Sequence, residues 1–63
     1  MTIEQWTKEV KKQLIEKNES ISKMCNEIGY TRAWVYVAFK GKASKETYTR
    51  INEYLGITTE VEI

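Results

Sequence analysis

The 63-residue chain has no histidine, one cysteine, three glycines and no long apolar run. Each shortage excludes something. A lone cysteine, Cys25, leaves no internal disulfide to form. With no histidine and no Cys/His cluster, a zinc site lacks its usual ligands, and no metal or other cofactor is expected. No stretch approaches the roughly 20 apolar residues of a membrane span. No signal-peptide pattern opens the sequence, so a cytoplasmic protein without a membrane partner is expected. Carboxylates and lysines are scattered, with no nucleophile–base pair and no glycine-rich phosphate loop, and no enzymatic activity is expected. Cys25 reads as a small buried apolar residue, because a catalytic thiol needs a base that no histidine supplies.

What is present is one small domain with a modest core, of a size that gains from a staple or a partner. Thr2 and Gln5 are spaced as a capping box, and Ile3, Trp6, Val10 and Leu14 then line one face of a first helix. Ile15 falls off that stripe and is free to touch a later element. Asn18-Glu19 connects to Ser20, a good N-cap, after which Ile21, Met24, Cys25 and Ile28 share one face. Gly29 stops this second helix. Thr31 caps a third and Gly41 ends it. The AWVYVAF run between them, rich in β-branched and aromatic residues, suits a strand out of context. Its flanks and length favour a helix, with Val35 at the centre of the inner face beside Thr31, Ala38 and Phe39. Ala33, Tyr36, Val37 and Lys40 then face outward, and Arg32 and Trp34 lie on the flanks. Ser44 caps a fourth helix with the stripe Tyr48, Ile51, Tyr54 and Leu55, which Gly56 ends.

The net charge of +1 hides an uneven distribution. Residues 1–30 carry five basic and five acidic side chains. Residues 31–50 carry Arg32, Lys40, Lys42, Lys45 and Arg50 against Glu46 alone, a net of +4. Residues 51–63 carry three glutamates and nothing basic. A field of this kind suits a phosphate backbone, and the plainer alternative is a solvated basic loop.

Ser20 to Gly41 resembles the helix-turn-helix of the Cro/CI-type (XRE family) regulators of phages and mobile elements. The resemblance is carried by Cys25 four residues before Gly29, Val35 six after it, and the closing pair Lys40-Gly41. It extends through VKKQLIEKNES before and INEYLGI after. Cys25 stands where the family usually has alanine, Tyr30 where it has an aliphatic, and Ala38 where it has a larger aliphatic.

The resemblance implies an all-α domain of four or five helices over residues 1–56 and a role as a sequence-specific duplex-DNA-binding regulator of transcription. In such a motif the second helix enters the major groove. Arg32, Ala33, Tyr36 and Val37 are then the expected base-contacting residues. Arg32 suits a bidentate contact to guanine, and Ala33 and Val37 suit a thymine methyl. Ser20, Thr31, Trp34, Lys40, Lys42 and Ser44 fall where the family's motif touches phosphate. The plainer readings are a surface ion pair for Arg32 and a half-buried flank for Trp34.

The tail, residues 57–63, alternates Ile57, Thr59, Val61 and Ile63 against polar neighbours, a strand pattern. Thr59 and Glu62 could instead cap a short fifth helix. As a strand, the tail is the candidate surface for a homodimer. A second functional class is the same fold turned to protein binding, as an inhibitor or antirepressor, through Trp34, Tyr36 and Val37.

Overall fold

The computed structural model describes residues 1–62. It contains four helices: α1 (Ile3–Glu16), α2 (Ile21–Ile28), α3 (Arg32–Phe39) and α4 (Lys45–Leu55). The domain is all-α, with no strand among the described residues.

Local chemistry accounts for the boundaries. The Thr2 hydroxyl accepts from the Gln5 amide at 3.2 Å while the Gln5 side chain accepts from the Thr2 amide at 2.9 Å, completing the capping box. After Lys17 the chain turns at Asn18, whose φ of 55° is tolerated better by asparagine than by most residues. The Ser20 and Thr31 hydroxyls cap α2 and α3 by accepting from the amides of Lys23 and Trp34. Gly29 and Gly56 end α2 and α4 in the left-handed conformation.

α1 packs on α3 and α4, and α2 on the same two helices. The core comprises Trp6, Val10 and Leu14 of α1, Met24, Cys25 and Ile28 of α2, Val35 and Ala38 of α3, Tyr48, Ile51 and Leu55 of α4, and Ile57 beyond it. Trp6 is its centre. Its ring meets Tyr48 edge-on at 4.9 Å and Phe39 at 5.8 Å, and its indole N–H donates to Asn52 Oδ1 at 2.7 Å. Tyr48 in turn donates to the Ala38 carbonyl at 2.9 Å, tying α4 to the end of α3.

Three expectations need correction. Ile15 is 79% exposed rather than packed against a later helix, because it points away from the stripe that buries Leu14. Ser44 precedes α4 at the cap position, yet its hydroxyl makes no capping bond. It bonds the Thr47 hydroxyl at 3.0 Å instead. The tail forms neither a strand nor a fifth helix among the described residues. Its backbone finds a partner in the first residue of the chain: the Glu62 amide donates to the Met1 carbonyl at 2.6 Å and the Met1 nitrogen to the Glu60 carbonyl at 3.0 Å. Ile57 is buried and Val61 half-buried against the core, so these two side chains are already covered within one chain. Ile63 lies outside the described residues.

The connection from α1 to α2 is held from across the molecule. Tyr54 of α4 donates its hydroxyl to Glu19 at 2.6 Å. That hydrogen bond, with desolvation and the charges of Glu19 and Glu27 adding to it, pushes the phenol up to about 12. A raised phenol favours the neutral form on folding. Its contribution is therefore full below the ordinary tyrosine value of about 10 and is lost as pH climbs through about 12.

Gly41 is the tightest glycine. Its φ is +78°, and a Cβ built there would lie 3.0 Å from Cγ1 of Ile3. Gly29 has a similar φ of +79° with nothing within 4 Å of such a Cβ. Gly29→Ala therefore meets only the left-handed backbone penalty, on the order of 1–2 kcal/mol. Gly41→Ala meets that and must also displace Ile3 at the start of α1. Urea denaturation of the two variants should rank Gly41→Ala as the more destabilised. Equal midpoints would show that Ile3 yields at no cost.

Candidate nucleic-acid interface

The three residues 29–31 join α2 to α3, and two side chains from α4 brace this corner. Arg50 donates to the carbonyl of Ile28, the last residue of α2, at 3.1 Å, and its guanidinium lies 5.9 Å from the Tyr30 ring centroid. Trp34 of α3 donates its indole N–H to the Thr47 hydroxyl at 2.9 Å, and Thr47 is itself buried and bonded to Ser44. Arg50 belongs by sequence to the basic cluster, and in the fold it holds the corner. Only its spacing from Ile28 in the folded chain reveals that role.

The expected phosphate contacts separate into groups. Thr31, Trp34 and Ser44 come together with Gly29, Tyr30 and Thr47 around one shallow groove between the start of α3 and the start of α4. Ser20 sits at the opposite end of α2, exposed. Lys40 and Lys42 are exposed in the link that follows α3. Trp34 contributes a rim to the groove rather than a free donor, because its N–H already has Thr47 as acceptor.

The expected base contacts lie along α3. Arg32 is the first residue of the helix and is exposed. The ion pairs among the described residues are Met1 with Glu62 and Lys23 with Glu19, so Arg32 is in neither. The alternative of a surface ion pair for Arg32 has no partner here. Ala33 is exposed, Tyr36 is 42% exposed and Trp34 is 37% exposed. Val37 is half-buried rather than outward. The chain folds back beside it, with the amides of Lys40 and Lys42 both donating to its carbonyl. Tyr36 stands edge-on to Phe39 at 5.7 Å, and the Lys11 ammonium lies 5.8 Å from the Phe39 ring centroid.

Cys25 is buried beneath this surface, and burial pushes its thiol above the ordinary value, with the charge of Arg32 offsetting part of that rise. Desolvation of this kind makes a thiol less nucleophilic at neutral pH. No helix among the described residues is long and apolar enough to cross a membrane. No protein-family model matches the chain, and no curated protein or solved structure matches it significantly.

Proposed function

We propose that this chain is a small sequence-specific DNA-binding regulator of transcription of the Cro/CI type, acting in the cytoplasm on phage or mobile-element promoters. α3 enters the major groove. Arg32 reads a guanine from the first turn. Ala33, Tyr36 and Val37 lie along the base edges. Ser20, Thr31, Lys40, Lys42 and Ser44 hold the phosphate backbone, with Trp34 walling the groove between α3 and α4. Such contacts set register, while the groove-facing residues carry sequence information. A two-fold site with half-sites about one helical turn apart would seat two copies. Ile57 is buried and Val61 half-buried against their own chain, so the described part of the tail does not offer such a dimer the apolar strand expected of it.

The observation that carries this reading is the excess of positive charge around α3, with Glu46 the one acid among residues 31–50. From Gly29 to Lys45 there is no acidic residue, and Arg32, Lys40, Lys42 and Lys45 have no ion-pair partner among the described residues. The second reading, a protein-binding inhibitor or antirepressor on the same fold, is favoured by the exposed rings of Trp34 and Tyr36. Exposed aromatics of this kind are common anchors of protein interfaces.

The two are separated by a pair of variants assayed on a selected site and on random duplex. Arg32→Ala should cost about 1–3 kcal/mol on the selected site and little on random DNA. Lys42→Ala should weaken both alike. A wild-type chain that binds no duplex at low salt refutes the DNA reading and leaves the protein-binding one. Equal losses on both DNAs for Arg32→Ala would make Arg32 a backbone contact.

A further inference from the structure

Resting on the DNA-binding reading, we infer that this chain recognises its site chiefly through the C5-methyl groups of pyrimidines, next to a guanine read by Arg32. The chemistry of the major groove defines what a helix must carry to read each base. Adenine is read by the paired donor and acceptor of Asn or Gln, and cytosine by a carboxylate that accepts from its amino group. Guanine is read by Arg or Lys, and thymine by an apolar group against its methyl.

From Gly29 to Lys45, through the turn, the whole of α3 and the link to α4, the chain contains no Asn, Gln, Asp or Glu. The standard readers of adenine and cytosine are therefore absent from the segment. The fold removes a further polar group. The Trp34 indole N–H donates to Thr47 at 2.9 Å, so it does not face the groove as a free donor. The Thr31 oxygen accepts from the Trp34 amide at 3.2 Å, which fixes that residue at the cap.

What α3 still presents is the Arg32 guanidinium, the Ala33 methyl, the partly exposed Tyr36 ring with its hydroxyl, the edge of Val37 and the Lys40 ammonium. This set is made of cationic donors, apolar surface and one hydroxyl. Against a duplex it distinguishes two features well: the N7/O6 acceptor pair of guanine and the methyl at C5 of a pyrimidine. 5-Methylcytosine carries the same methyl at the same ring position as thymine. α3 should therefore accept a methylated G·C pair where it accepts A·T, and discriminate against the unmethylated one.

The test uses the full chain. A preferred duplex is first selected from a random-sequence library. Each thymine in it is then replaced singly by deoxyuridine, which removes only the methyl, and affinity is read by fluorescence anisotropy at fixed salt. At each contacted position affinity should fall roughly fourfold, the effect of burying about one methyl group. Replacing that A·T pair by G·C should weaken binding, and 5-methylation of the new cytosine should restore roughly fourfold. Ala33→Gln, at an exposed site, should reduce the deoxyuridine effect and add a preference for adenine. Unchanged affinity for deoxyuridine at every position of a bound site overturns the inference and leaves the duplex-binding reading intact. Failure to bind or enrich any duplex at low salt overturns both. Should Ala33→Gln not fold, the deoxyuridine and methylcytosine series on the wild-type chain decides alone.

Discussion

Trp6→Ala is expected to abolish cooperative folding. The side chain is fully buried, packs edge-on against Tyr48 and Phe39, and supplies the indole N–H held by Asn52. Truncating a buried Trp to Ala costs about 3–5 kcal/mol through lost transfer free energy and the cavity left behind. At roughly 0.05–0.15 kcal/mol per residue, a domain of this length has only about 3–9 kcal/mol of total stability. The loss is therefore comparable with the whole. Circular dichroism of the variant at 25 °C should show little helix and no sharp thermal transition. Trp6→Phe separates packing from the hydrogen bond. It keeps an aromatic against Tyr48 and Phe39 and strands Asn52, which is only half-buried and can turn to water. Its cost should be smaller, about 1–3 kcal/mol, from the lost hydrogen bond and the smaller cavity. A Trp6→Ala protein that melts within a few degrees of wild type would mean that the core is organised around some other residue.

The second large effect concerns salt. Two lysines, Lys40 and Lys42, follow α3 without an ion-pair partner among the described residues and are the cations proposed to neutralise phosphates once Arg32 is assigned to a base. Each neutralised phosphate releases condensed counterions and adds about −0.9 to the slope of log affinity against log salt. One chain should then show a slope of about −1.8, a loss of roughly twelvefold between 50 and 200 mM salt. Two chains on a two-fold site would double the slope, so the titration also reads how many copies bind. Lys42→Ala should make it shallower by about one per copy. Affinity that is flat with salt would contradict the proposed function and point to the exposed aromatics as a protein-binding surface.

The helices were legible because their ends are written in local chemistry. Thr2 with Gln5, Ser20, Thr31, Gly29 and Gly56 act within a few residues of their own position, and each falls where the folded chain uses it. The AWVYVAF run was readable as helix only through those flanks, since its composition favours a strand. What escaped the sequence depends on distant partners. The indole of Trp34 is claimed by Thr47, thirteen residues on. Arg50 is claimed by a carbonyl twenty-two residues back. Thr47, a polar residue, is buried because Trp34 and Ser44 satisfy its hydroxyl. The tail's alternation is the periodicity of a strand, but a short chain segment also buries Ile57 and Val61 by lying irregularly on the core. In α3, the exposure of Arg32 and Ala33 was readable from their place after Gly29. The half-burial of Val37 was not, because it depends on how residues 40–42 fold back.

The hydrogen bond between Trp6 and Asn52 spans 46 residues of sequence. During synthesis, at about 5–20 residues per second, Asn52 is therefore added on the order of 2–9 s after Trp6. Through that interval Trp6, Val10 and Leu14 have no α4 to bury them. The exposed surface of α1 carries Glu4, Lys8, Lys11, Lys12 and Glu16. Charged side chains of both signs flanking an uncovered apolar stripe act as gatekeepers against aggregation until the chain can close on itself.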